Sequence, residues 1–196
     1  MTLGERLAHA LANADPQTIY LTGDSLELAA APDPIAAAVL VAVTNRTDPG
    51  IILTKRTETM RRHAGQVAFP GGRIDPTDRD VIAAALREAE EEIALPPHRV
   101  DVIGTADRYR TGTGFDIVPV IGVVPPDLAL IPSEAEVAQV FEVPLAYLFD
   151  PANLRRASAM WQGRERHFYE MEWDGHRIWG ATAAMIVNLS RRLRWA

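Results

Sequence analysis

The sequence contains no cysteine among its 196 residues. Disulfide bonds, zinc sites built on thiolates and catalysis by a thiol nucleophile are therefore excluded. The redox state of the compartment in which the protein works is left undecided by this absence.

A net positive charge is also missing, because 20 lysines and arginines stand against 26 aspartates and glutamates, for a formal charge of −6. The chain has no overall field that would attract nucleic acid, and we expect no nucleic-acid partner. An anionic ligand would instead be drawn in by bound cations and by a few well-placed lysine and arginine side chains.

A long apolar run is absent from the N-terminal segment. Glu5, Arg6 and His9 interrupt the apolar residues there, whereas a signal peptide or a membrane span needs an unbroken apolar stretch. We therefore expect a protein that has no membrane partner and resides in the cytoplasm.

The composition that is present is that of a soluble globular protein, with 47% hydrophobic and 23% charged residues. A chain of this length can form one domain that buries roughly 70% of its unfolded surface. Leu3, Leu7 and Leu11 recur at helical spacing, and a proline-rich stretch, residues 31–34, follows. We predict a helical extension over residues 1–34, packed on a single domain over residues 35–196.

Two hairpins are predicted within this domain. Apolar runs at Ala36–Thr44 and Ile51–Lys55 flank a turn-forming segment, and Asp174-Gly175 separates Arg166–Trp173 from His176–Trp179. Further strands are predicted at Val67–Phe69, Val100–Ala106, Ile117–Val124 and Val137–Val143.

Two helices stand out among these strands, at Arg79–Ile93 and from Ala181 to about Arg194. The predicted fold class is α+β, with a mixed β-sheet sandwiched between helices.

Four carboxylates lie close together near the end of the first of these helices, in the run Arg87-Glu88-Ala89-Glu90-Glu91-Glu92. At about 100° per residue, Glu88, Glu91 and Glu92 share one face and Glu90 points away. Like charges one turn apart repel, and acids near a helix C-terminus oppose its dipole. A hard divalent cation would reverse both effects, although a solvated acidic face is the more common meaning of a glutamate run.

The segment before the helix, Phe69-Pro70-Gly71-Gly72, favours the cation interpretation. It has the composition of a strand end followed by a Gly-Gly loop, where backbone can approach a ligand closely. Residues Gly72 to Leu95 resemble the Nudix box, in which a glycine precedes a helix bearing Arg-Glu-x-x-Glu-Glu. This chain has Arg79 where the pattern has its first Glu, with Asp78 as the nearest acid, and Ala94 where the pattern has Gly.

The resemblance implies a Nudix fold and a Mg²⁺-dependent pyrophosphatase, with Mn²⁺ as an alternative ion. It makes Glu88 and Glu92 the first metal ligands, with Glu91 supporting a second ion. Arg87 would orient a carboxylate rather than touch the substrate. The base that activates water is one of Glu91, Glu136 and Glu134, and the sequence does not choose among them.

A second set of motifs is similar to the coenzyme A pyrophosphatase branch of the family. It comprises Leu53-Thr54-Lys55-Arg56, Met60 to Gly72, Thr111 to Phe115 and Phe141 to Leu145. This resemblance implies hydrolysis of coenzyme A, or of an acyl or oxidised form, to 3′,5′-ADP and the 4′-phosphopantetheine part. The substrate-binding residues predicted from these motifs are Lys55, Arg56, Arg61, Arg62, His63, Gly71, Gly72, Thr111 and Gly112.

Other interpretations of these residues stay open. The basic residues could pair with the surplus acids, and Thr111 to Gly114 could be only a turn. Trp161, Phe168, Tyr169 and Trp179 could line the far end of the cleft, or lie in the core or in the interface of a homodimer. The substrate could be ADP-ribose, NADH or a dinucleoside polyphosphate, and a non-catalytic nucleotide-binding module is a further alternative.

Overall fold

The computed structural model describes residues 1–13, 21, 33–59, 63–161 and 163–193. The helices are α1 (Leu3–Ala12), α2 (Val81–Ile93), α3 (Leu145–Phe149) and α4 (Gly180–Leu193). The strands are β1 (Ile35–Thr44), β2 (Gly50–Arg56), β3 (Val67–Ala68), β4 (Gly71–Arg73), β5 (Asp101–Thr105), β6 (Tyr109–Arg110), β7 (Phe115–Val124), β8 (Val137–Pro144), β9 (Arg155–Trp161), β10 (Arg164–Trp173) and β11 (His176–Trp179).

β1 is the central strand of an eight-stranded mixed sheet. It pairs in parallel with β7 along its whole length, from Ile35 to Thr44. Its other edge is divided, because β2 pairs antiparallel with it at Val43 and β4 pairs with it over Ala37 to Val39. β2 then diverges to pair with β8 and β3. The sheet therefore forks between β2 and β4.

Alternate residues of β1 enter two separate cores. Ala38 and Leu40 face α2, where they pack with Ala85, Ala89 and related residues. The opposite face carries Val39, Val41 and Val43, which join a cluster that includes α1, α4 and part of the second sheet. Burial on both faces explains why this strand reads as a continuous apolar run rather than an alternating one.

The remaining elements cover the α4 side of the sheet. β9, β10 and β11 form a separate antiparallel sheet, and Met171 and Ile178 bury its inner face beside α4. α1 packs against β5 and α4 through the buried Leu7. In the described part of the chain, no helix is long and apolar enough to cross a membrane.

The predicted fold class is confirmed, but several elements differ from the sequence prediction. α2 begins at Val81 rather than Arg79, because the Asp80 side chain caps it by accepting a hydrogen bond from the Ala83 N–H at 2.8 Å. Gly71 and Gly72 lie in a strand rather than a loop. β6, α3 and β9 were not predicted; Arg155–Trp161 lacks the alternation of apolar and polar residues that marks a strand.

Candidate active site at the fork of the sheet

The fork between β2 and β4 holds a buried carboxylate. Glu92, in the last turn of α2, is only 4% exposed. One of its oxygens accepts a hydrogen bond from the Gly71 N–H at 3.2 Å, and the other lies 3.5 Å from the guanidinium of Arg56 at the end of β2. α2, β4 and the end of β2 therefore meet at the Glu92 side chain.

The two glycines of β4 allow this close approach. A Cβ added at Gly72 would lie 2.6 Å from the carboxylate of Glu88, so only glycine leaves room for that carboxylate. At Gly71, where φ is 155°, a Cβ would lie 2.5 Å from the Ala38 carbonyl oxygen. Gly72 therefore positions an acidic side chain, whereas Gly71 permits the pairing of β4 with β1.

The acids at the fork hold protons more strongly than free glutamate does. Burial raises the pKa of Glu92 from 4.5 to about 7, and the charges of Glu88 and Glu136 add to the effect. The Gly71 N–H and Arg56 oppose it without cancelling it. Burial also raises the pKa of Glu88, against hydrogen bonding from Arg87. The site concentrates negative charge that its own cations only partly balance.

Arg87 connects the acids of α2 to the loop before the helix. Its guanidinium donates to both oxygens of Asp78 at 3.0 and 2.9 Å, to Glu88 at 3.0 Å and to Glu91 at 3.0 Å. It also donates to the Arg73 carbonyl at 3.1 Å. These contacts raise the pKa of Arg87 and lower the pKa of Asp78. Arg87 therefore pairs with carboxylates, as the sequence predicted, and Asp78 serves to anchor it.

A loop that follows β7 brings Glu136 to the fork. The Ser133 N–H donates to the Glu92 carbonyl at 2.8 Å, which fastens the loop to the end of α2. Glu136 then lies with a carboxylate oxygen 3.6 Å from Arg56, and its side chain is half exposed. Glu134, on the same loop, is exposed, and unlike Glu136 it is not among the charges that raise the pKa of Glu88 and Glu92. Of the two loop acids predicted as bases, the structure brings Glu136 to the site.

Of the five predicted cations, Arg56 reaches the acid cluster. Lys55 pairs with Glu58 at 3.7 Å, and the His63 ring bonds the Gln66 side chain at 2.9 Å. Arg61 and Arg62 lie outside the described residues. In the described residues neither Lys55 nor His63 is paired with Glu88, Glu92 or Glu136.

Thr111 and Gly112 belong to the tight turn between β6 and β7. The Thr111 hydroxyl accepts a hydrogen bond from the Phe115 N–H at 3.0 Å, and its backbone N–H donates to the Phe115 carbonyl at 2.9 Å. The Gly114 N–H donates back to the Thr111 carbonyl at 3.0 Å. These bonds give the threonine a structural role in the turn.

The donor set at the fork fits a hard divalent cation. Carboxylate oxygens are the ligands that Mg²⁺ prefers, and the charge of Glu136 helps to raise the pKa of both Glu88 and Glu92. Glu91 is turned toward solvent, with its side chain 60% exposed and paired to Arg87. Within the described ranges, no three His, Asp or Glu side chains converge on a single point that could hold a metal ion. Arg56 and Arg87 balance the charge of these acids only in part.

Comparison with known proteins gives a consistent set of matches. A family model described as the NUDIX domain matches residues 34–169. A protein from Cronobacter sakazakii, described as the uncharacterized Nudix hydrolase NudL, is 48% identical over 80% of this chain and 82% of its own. Its counterpart from Escherichia coli O7:K1 is 44% identical with the same coverage. The crystal structure of the M. smegmatis Nudix hydrolase RenU aligns with 58% of this chain and 72% of its own, at 21% identity and a TM-score of 0.49.

Proposed function

Because the chain belongs to the Nudix hydrolase family, we propose that it hydrolyses the diphosphate bond of coenzyme A or a coenzyme A derivative with the help of Mg²⁺. Water and coenzyme A would give 3′,5′-ADP and 4′-phosphopantetheine. Nudix hydrolases act on nucleoside diphosphate derivatives. The proposal therefore concerns which derivative is the substrate and which residues hydrolyse it.

The observation that carries the proposal is the pair Glu88 and Glu92 on α2, with Arg56 lying between Glu92 and Glu136 at the fork. Glu88 and Glu92 lie one helical turn apart and would hold the metal ion through their oxygens. When bound, Mg²⁺ would neutralise diphosphate oxygens and lower the pKa of a water molecule. Burial raises the pKa of Glu92 to about 7, and a bound cation would favour its ionised form.

Proton removal from the attacking water is assigned to Glu136. Its side chain is accessible, lies across from Glu88 and Glu92, and is steered by Arg56. Glu91 is held by Arg87, and Glu134 is not among the charges that act on Glu88 and Glu92, so both are weaker choices. Arg87 would fix the rotamer of Glu88 while Asp78 fixes Arg87.

Selection of coenzyme A is supported by the basic residues at the end of β2. Arg56 lies beside the acids and Lys55 precedes it on β2, in a chain whose net charge is negative. Once a metal ion is bound to Glu92, the Arg56 guanidinium can donate two parallel hydrogen bonds to a phosphate group. The motifs around these residues, from Leu53 to Gly72, are those that resemble the coenzyme A branch.

A substrate panel tests the proposal. The protein is incubated with Mg²⁺ and coenzyme A, dephospho-coenzyme A, ADP-ribose or NADH, and the products are separated by chromatography. We expect 3′,5′-ADP from coenzyme A and the highest kcat/KM for that substrate. A preference for ADP-ribose or NADH would leave the chemistry intact and refute the substrate assignment. Absence of turnover with every substrate would favour a nucleotide-binding module without catalysis.

A further inference from the structure

The three-stranded sheet has an open edge at β9. In the described part of the chain, β9 pairs with β10 on one side and with no strand on the other. The residues of β9 that are exposed to solvent include Arg155, Arg156, Ser158, Ala159 and Met160. The outward backbone N–H and C=O groups of such an edge can pair with one further strand.

β9 lacks most of the features that protect the edge of a sheet from pairing, such as proline, lysine or a bulge. Its sequence contains neither proline nor lysine, and it pairs with β10 along its whole length without a shift of register. Its two charged residues, Arg155 and Arg156, both lie at its N-terminal end. The edge strand β5 of the main sheet differs, because its register shifts between Val102 and Gly104 and α1 packs against it. β9 is therefore available for pairing, whereas β5 is not.

β9 can pair with a second copy of itself without placing like charges opposite each other. A two-fold axis through Ser158 sets two copies antiparallel, with all seven residues of each strand paired. Arg156 then lies opposite the partner's Met160, and Ala157 lies opposite the partner's Ala159. An axis through Arg156 would instead set two arginines opposite each other, and an axis through Ala157 would leave Met160 without a partner in β9. The axis through Ser158 is therefore the one that pairs the full strand.

The pairing of Arg156 with Met160 is chemically complementary. Met160 is a large apolar side chain that is 70% exposed in a single subunit. The Arg156 guanidinium lies over the Tyr169 ring of its own subunit, 5.7 Å from the ring centre, and the aliphatic part of Arg156 would cover the partner's Met160. Met160 also pairs with Glu165 of β10. Each Arg156 would therefore face an apolar side chain and, one strand further, a carboxylate.

We propose that β9 forms the interface of a homodimer, in which two three-stranded sheets join into one continuous sheet in the order β11-β10-β9-β9-β10-β11. A second copy is the occupant because the strand complements itself in both register and charge, which an arbitrary strand of another protein would not do. None of the interface residues belongs to the acid site at the fork. The inference therefore does not depend on which substrate the protein hydrolyses.

Sedimentation velocity over a wide range of protein concentrations tests whether the dimer forms. We expect a reversible equilibrium between the single chain and a species of twice its mass, with the dimer dominant at high concentration. A wild-type protein that stays monomeric at every concentration would overturn the inference. An edge that pairs only with a different protein would give that result.

Two substitutions test the interface and its register. Met160→Lys places a lysine opposite Arg156 at both symmetric positions, and like charges in such cross-strand pairs repel, so the dimer Kd should rise about 10-fold or more. Adding Arg156→Glu to Met160→Lys restores opposite charges and should return the Kd to within about threefold of the wild type. Ile131→Lys is the matched control, because Ile131 is also an apolar residue that is largely exposed, at 65%, and it lies outside β9. Its dimer Kd should equal that of the wild type.

Equal dimerisation by Met160→Lys and the wild type, or no recovery in the double variant, would also overturn the inference. Thermal unfolding midpoints, measured at a low concentration where every variant is monomeric, check that each chain folds. Formation of 3′,5′-ADP from coenzyme A is not part of this readout. Failure of the proposed function and failure of this inference are therefore observed separately.

Discussion

Replacing Glu92 with glutamine is expected to stabilise the metal-free protein above neutral pH while removing its hydrolase activity. Burial raises the pKa of Glu92 from 4.5 to about 7. A carboxyl group whose pKa is raised on folding adds stability below pH 4.5, and this contribution is lost as the pH rises to 7. The acid that the proposed chemistry needs is therefore costly to the fold when no cation is bound.

The magnitude follows from the size of the rise in pKa. At about 1.4 kcal/mol for each tenfold change in proton affinity, the rise from 4.5 to about 7 corresponds to about 3 kcal/mol. Glu92→Gln keeps an oxygen that can accept the Gly71 N–H but cannot ionise. We expect the variant to match the wild type near pH 4.5 and to exceed it by up to about 3 kcal/mol at pH 8.

Urea unfolding at pH 4.5, 6 and 8 in the presence of EDTA measures this difference. Glu90→Gln is the matched control, because Glu90 is exposed on the same helix and the substitution changes charge identically. The control should follow the pH dependence of the wild type. A Glu92→Gln variant that is less stable than the wild type at pH 8, or that shows the same pH dependence, would refute the reasoning.

Three further substitutions test single contacts. Ala94→Gly should stabilise the protein to urea by about 1 kcal/mol with activity unchanged, because Ala94 ends α2 in the left-handed region at φ 53°; a loss of stability would contradict this. Gly72→Ala should lower kcat/KM by about 100-fold with little change in thermal midpoint, because its Cβ displaces the Glu88 carboxylate. Unchanged kinetics would show that Glu88 need not occupy that position. Arg87→Lys should lower kcat about 10- to 100-fold because lysine cannot keep the two-bond contact with Asp78; wild-type kcat would refute the orienting role.

Much of the fold could be predicted because the strongest patterns are local. β1 is apolar throughout since both of its faces are buried, and α2 shows an apolar face that ends in acids. β4 was misread as a loop because glycine has low strand propensity. β4 can pair with β1 only because β2 diverges from β1 and leaves that part of its edge unpaired. At this edge the Leu40 N–H also donates to the Pro70 carbonyl at 2.8 Å. A local sequence pattern does not show which strand edge is left unpaired elsewhere in the fold.

The site residues on α2 could be predicted from the sequence, but the loop residues that approach them could not. Helical spacing and the family resemblance predict Glu88, Glu92 and Arg87 as site residues. In the structure Glu88 pairs with Arg87, and Glu92 pairs with Arg56. Which loop acid approaches them depends on the bond from Ser133 to the end of α2, a contact between residues far apart in sequence. The tie between Arg87 and Asp78 likewise comes from the path of the loop before α2. A homodimer stays a prediction.

The central claim is that Glu88 supports hydrolysis of coenzyme A at the fork of the sheet. The most direct measurement is the rate of 3′,5′-ADP formation from coenzyme A and Mg²⁺ by the wild type, Glu88→Gln and the exposed control Glu90→Gln. We predict that the wild type and the control form 3′,5′-ADP at equal rates. Glu88→Gln should be slower on the order of 100-fold or more, since a metal ion contributes several kcal/mol of transition-state stabilisation. Wild-type activity in Glu88→Gln, or no 3′,5′-ADP from the wild type, would contradict the account.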